Sequence, residues 1–320
     1  MHTLDRIWAV ICWSLQCFIA GRFPSRDHMG EEFKDHWRQS QVGKPLRLRG
    51  AVLQLRGDWP WLSYVFQVAT HASTAACFLC RGSMDPHGGI PLTDASPSAR
   101  WRRHIIPVAQ WMQERIQAGG YVSGVFAWPG FSFHGIVLDW MHMCDLGVAQ
   151  ACLGNILWEV FLRLGGLVTH EHPTMTRILN YLCDAAHDLG HQMPISKLTM
   201  GMIRGSDQRP KLKEKAGKTR GLVPIVLRML ELHFPPEGDR ELRVFKCLEF
   251  LNKAYMELDN WAADSADRLE EFCRRHLLLY ASLAIESLRA DSRFLCWRWY
   301  PKHHMLMHLT GEQATRMGNP

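Results

Sequence analysis

The stretch LRVFKCLEFLNKAYMEL, residues 242–258, repeats its apolar residues three and four positions apart, the period of a helix that buries one face. Working outward, the same spacing predicts helices over 261–289, 221–233, 173–189, 139–164 and 101–118. A shorter run, AVLQLRGDW at 51–59, alternates in part and stops at Gly57-Asp58, which predicts a strand with a carboxylate at its C-terminal end. The fold class expected is therefore α+β and predominantly helical. With 320 residues, 47% of them hydrophobic, 13 Trp and 14 Phe, the chain can bury a large core, and it lacks the Gly, Pro or charge bias of collagen-like or disordered proteins. No internal repeat is visible.

Two segments interrupt the helical series. WPGFSFHG at 128–135 reads as an aromatic loop, and RGSDQRPKLKEKAGKTRG at 204–221 as a basic one. Residues 204–220 hold seven Lys and Arg against two acids, so this segment concentrates charge in a chain whose formal net charge is +6. Arg204, Arg209, Lys211, Lys213, Lys215, Lys218 and Arg220 are candidate phosphate contacts, giving a salt-dependent affinity without sequence preference. A solvated loop explains the same residues. Arg100, Arg102 and Arg103 around Trp101 form a smaller cluster of this kind.

The apolar run IWAVICWSLQCFIAG at 7–21 is short for a membrane span and poorly flanked for a signal peptide, so a buried helix is expected there. Of ten cysteines only Cys77 and Cys80 form a C-x-x-C pair; the other eight are scattered through apolar stretches as small hydrophobes. A reducing compartment, nuclear or cytoplasmic, fits this usage better than secretion.

Three constellations carry chemistry. Asp58 at a strand end is a candidate ligand for a divalent ion, or a turn residue. Cys77 and Cys80 can chelate one zinc but need two more ligands. PKHHMLMH at 301–308 supplies them, because His304 and His308 at i, i+4 share a helix face whereas His303 and His308 diverge by about 140°. An inert C-x-x-C and a solvated His cluster are the plain alternative. Asp139 and His142, at i, i+3, can face one site, or serve as an N-cap beside a core histidine.

These motifs occur in a recognisable order. GDWPWLSYVF followed by ACFLCRG, LDWMHMCDLGVAQ, KTRGLVPIVLRML and YPKHHMLMHL resembles the catalytic region of eukaryotic cut-and-paste DNA transposases, CACTA-like and Kyakuja-Dileera-Zisupton types. The resemblance runs over nearly the whole chain. It implies a partial ribonuclease-H-like core with its C-x-x-C in 1–95, a large all-α insertion over 96–290, and a returning segment, 291–320, whose His pair closes a zinc site. It also implies Asp58 as a metal-binding catalytic aspartate, Asp139 and His142 as an Asp-x-x-His motif near the active site, and Cys77, Cys80, His304 and His308 as ligands of a structural zinc. Magnesium-dependent strand transfer is the intact family's chemistry, with DNA as partner, no membrane, and self-association as an option.

That chemistry needs three acids, and two are not recognisable: none is borne on a strand before Asp58, and Glu312 is close to the His pair. The expectation is a fragment truncated at both ends, a transposase-derived DNA-binding protein that does not cut DNA by itself. A zinc-stabilised helical scaffold without a nucleic-acid role is the alternative from another class.

Overall fold

The computed structural model describes residues 2–50, 54–85, 89–127, 131, 133–165, 171–204, 209–290 and 296–320. The protein is predominantly helical with a few short strands, as the apolar periodicity predicts. It divides into two compact units, Met1–Arg81 with His104–Val137, and Gly82–Arg103 with Leu138–Pro320.

The first unit opens with helix α1, His2–Ala20. The helix is as expected, but its burial is not. Trp8 and Cys12 are buried, whereas Ile7, Val10, Ile11, Phe18 and Ile19 are exposed, because the unit covers only one narrow stripe of an apolar cylinder. Among the described helices α1 alone is long and apolar enough to cross a membrane, and 11% of that window is buried. A short helix α2, His36–Gln41, follows, with the Asp35 carboxylate accepting from Arg38 N at 2.9 Å. Strand β1, Leu55–Gly57, leads directly into α3, Trp59–Phe66. Pro60 suits the first turn, where its missing N–H costs nothing. Trp59, Leu62, Val65 and Phe66 face inward, and Phe66 joins Trp8, Phe126 and Trp111 in an aromatic core with ring separations of 6.3, 6.2 and 4.9 Å along that chain of contacts.

The helix expected over 101–118 is two elements. A 3-10 turn covers Arg100–Arg103, and helix α4 occupies Val108–Gln117 after Pro107, whose ring displaces the preceding residue from helical geometry. Two-residue strands β2 (Gly82–Ser83) and β3 (Ile90–Pro91) pair in parallel, and β4 (Ile136–Leu138) pairs with β1. Of the aromatic loop expected at 128–135, residues 128–130 and 132 lie outside the described residues, and Phe133–Gly135 form a 3-10 turn.

The second unit is a helical bundle. A π-helical turn, Met141–Val148, runs into α5, Ala149–Arg163, which is buried along almost its whole length. Around it lie α6 (Glu171–Asp188), α7 (Met200–Ile203), α8 (Ala216–His233), α9 (Asp239–Asp259) and α10 (Ser265–Arg289). The last two form the most extensive helix pair, joined by a short connection that makes them antiparallel neighbours. Arg240 of α9 locks onto α5 through a bidentate pair with Glu159 at 2.6 and 2.7 Å, and onto α10 through Glu286 at 2.7 Å. Helix α11, Pro301–His308, continues through a second π-helical turn, Leu309–Gln313, into α12, Ala314–Met317.

Helix α8 starts at Ala216, five residues earlier than predicted, so Lys218 and Arg220 are helical rather than in a loop. The segment before it is strapped to α5: Leu212 N donates to Gln150 O at 2.9 Å, and Gln150 Nε2 to Glu214 O at 2.7 Å. Gly154 makes this possible, since a Cβ there would stand 2.4 Å from Lys211 Cα.

Candidate metal centre

Cys77 and Cys80 sit in a tight turn stabilised by backbone pairing, with Ile106 N donating to Leu79 O at 2.9 Å and Arg81 N to His104 O at 3.0 Å. Both thiols are buried and their sulfurs are 3.5 Å apart. The amides of Leu79 and Cys80 each donate to Cys77 Sγ at 3.3 Å, the arrangement that supports a thiolate. Burial, and then the neighbouring Cys80, push the Cys77 thiol well above its ordinary value. Such a thiol stays protonated unless a cation replaces its proton.

His304 and His308 occupy one face of α11, as the i, i+4 spacing predicts, and both are fully buried. A solvated His cluster is thereby excluded. Their Nε2 atoms approach to 3.1 Å. Trp101 packs against both, with ring centroids 4.7 Å from each imidazole, and its own Nε1 donates to Asp94 O at 2.7 Å. The indole holds the two side chains in place and keeps water out. Glu312, one turn beyond His308, brings a carboxylate oxygen 3.7 Å from His308 Nδ1, on the ring edge away from His304.

Cys77, Cys80, His304 and His308 form one buried group whose four ligand atoms lie within 4.8 Å of one another, so it can hold a metal ion. Ligand atoms around a tetrahedral Cys2His2 zinc stand about 3.3–3.8 Å apart, from Zn–S of about 2.3 Å and Zn–N of about 2.0–2.1 Å. The 3.5 Å sulfur pair and the 3.1 Å nitrogen pair are close to that frame.

Asp139 and His142 also come together. One Asp139 oxygen accepts from Met141 N at 2.9 Å and the other engages His142 Nδ1, which orients the imidazole. The pair is partly exposed, at 23% and 30% of the side chains, so His142 is not a core histidine. Lys302 of α11 ties this turn down by donating to His142 O at 2.7 Å and Leu146 O at 3.3 Å. Asp58 is the N-cap of α3, its carboxylate accepting from Trp61 N at 2.6 Å.

The basic residues divide into two sets. Arg204 lies over the Trp158 ring at 5.3 Å, and Arg220 pairs with Asp259 and covers Tyr255 at 5.3 Å. Arg209 and Lys211 are half-buried, while Lys213, Lys215 and Lys218 are exposed, with Lys218 3.6 Å from Glu214. In the smaller cluster Trp101 is buried and Arg102 pairs with Glu270 at 3.0 Å, leaving Arg100 and Arg103 exposed.

No family model, curated protein or solved structure matches this chain.

Three contributors to these sites are silent in the sequence. Trp101 reads there as part of a basic surface cluster and is a buried wall of the His pair. Lys302, which no sequence reading singles out, is a backbone clamp. Asp145, six residues after Asp139, is buried, and its carboxylate accepts from Tyr255 OH at 2.5 Å; burial raises its pKa. A Pro-Lys pair opening a helix and an Asp in an apolar run are the only local signals for the last two.

Proposed function

We propose that the chain is a transposase-derived DNA-binding protein in which Cys77, Cys80, His304 and His308 hold a structural zinc. The observation that carries this reading is the buried group of two thiols and two imidazoles, drawn from the two motifs that the resemblance pairs. Zinc suits it: the donor set is two sulfurs and two nitrogens with nothing exposed, which fits a closed structural site and leaves no open position for a substrate. When bound, zinc supplies the positive charge that lets both thiols ionise in the core. Cys77 and Cys80 hold it from their turn, His304 and His308 from α11, and Trp101 excludes water.

In this reading the pairing of β1 with β4 belongs to a ribonuclease-H-like core, and Asp139 with His142 marks the side facing DNA. Asp58 descends from a catalytic position. Its carboxylate now caps α3, and two-metal strand cleavage needs several carboxylates around ions about 3.5–4 Å apart, so DNA binding rather than cleavage is the activity assigned.

Lys213, Lys215 and Lys218, the exposed set at the start of α8, are the proposed phosphate contacts. Three such contacts predict a loss of affinity for duplex DNA of about 40-fold between 50 and 200 mM salt, measured by fluorescence anisotropy. Reversing all three to Glu is expected to weaken binding at 50 mM by more than about tenfold and to flatten the salt dependence. The fold should survive, because acidic residues suit a helix N-terminus. Equal affinity at both salt concentrations, or no effect of the triple reversal, would favour the scaffold reading instead.

A further inference from the structure

Eight cysteines read as isolated hydrophobes in the sequence, yet two of them meet a histidine in the core of the second unit. Cys152 of α5, Cys247 of α9 and His276 of α10 are each buried, and each offers a ligand atom within 4.8 Å of the others. The imidazole is anchored by its Nδ1, 2.8 Å from the Cys247 carbonyl oxygen, and the same nitrogen is 3.3 Å from Cys247 Sγ. A hydrogen on Nδ1 donated to that carbonyl fixes the tautomer in which Nε2 carries the lone pair. His276 Nε2 is buried and has no hydrogen-bond partner.

A buried acceptor left without a donor is costly, and native cores seldom keep one. An imidazole whose one nitrogen holds a backbone carbonyl while the other is free is the arrangement found at metal ligands. Two thiols beside it complete a soft donor set that selects zinc-class ions. Charge points the same way: a divalent ion with two thiolates and a neutral imidazole carries no net charge, which an apolar helical core tolerates far better than a lone charge.

We propose that Cys152, Cys247 and His276 hold a second zinc-class ion where α5, α9 and α10 meet. Two protons leave the thiols for solvent as the ion enters, and no electron moves.

The test is the metal content of the purified full chain by mass spectrometry. Two equivalents of zinc are expected in the wild type and one in Cys152→Ala/Cys247→Ala, where alanine fills a buried thiol position with a small apolar group. Cys77→Ser/Cys80→Ser is expected to keep the second equivalent, so failure of one site is distinguishable from failure of the other. A measurement on the unmutated chain guards against misfolded variants: after exchange with Cd2+, thiolate-to-cadmium charge-transfer absorbance should report four Cd–S bonds. One equivalent in the wild type, an unchanged content in Cys152→Ala/Cys247→Ala, or absorbance equal to two Cd–S bonds would overturn the proposal.

Discussion

The double substitution Cys77→Ser/Cys80→Ser is expected to remove one zinc and to destabilise the chain by about 4 kcal/mol or more in the presence of the metal. A ligand that binds only the folded state at about a thousand times its dissociation constant stabilises by about 4.1 kcal/mol, and structural zinc sites commonly exceed that ratio. Serine keeps the size of each side chain but gives up the thiolate, and His304 and His308 alone supply two ligands where a closed site needs four. Chelation of the wild type should produce the same fall in thermal midpoint, which separates metal loss from any packing effect of serine. Acid should act likewise. Thiols and imidazoles must be deprotonated to bind, so the stabilisation is present at neutral pH and is lost as pH falls and protons displace the ion. Unchanged zinc content and midpoint in the double variant would remove the first centre from the account.

Gly154→Ala is expected to destabilise by about 2–3 kcal/mol, against the usual trend. In the interior of a helix alanine ordinarily gains about 1 kcal/mol over glycine. Here the added Cβ meets backbone, 2.4 Å from Lys211 Cα and 2.6 Å from Leu212 N, and overpacking of this kind costs about 1–3 kcal/mol or more. The strap cannot step aside cheaply. Lys211 N donates to Ile203 O at 3.0 Å, Leu212 N to Gln150 O at 2.9 Å and Lys213 N to Met202 O at 2.7 Å, and Leu212 is fully buried. Gly217→Ala, where nothing lies within 4 Å, is the control and should be neutral or slightly stabilising. Urea titration of the three chains checks both values; equal midpoints for Gly154→Ala and the wild type would show that the strap is not held against α5.

Where a signal is local, the sequence carries it. The apolar spacing of 242–258 and 261–289 marks α9 and α10, observed at Asp239–Asp259 and Ser265–Arg289. The spacings Cys77-x-x-Cys80 and His304-x-x-x-His308 identify four residues that the fold brings together. Periodicity does not report what covers a face, so α1 is a helix as read but largely exposed. Nor does it register a π-helical turn: the segment read as one helix over 139–164 begins with Met141–Val148 wound differently from α5. The basic segment was legible as charge but not as attachment, because Gly154 and the buried Leu212 that strap it down are ordinary letters. Cys152, Cys247 and His276 are single residues on three helices, with no spacing to unite them.

X-ray absorption at the zinc edge of Cys152→Ala/Cys247→Ala, in which Cys77, Cys80, His304 and His308 remain intact, tests the central claim most directly. The account predicts one zinc with two sulfurs at about 2.3 Å and two nitrogens at about 2.0–2.1 Å. A chain that folds without zinc, or a zinc surrounded only by oxygen and nitrogen, would contradict it.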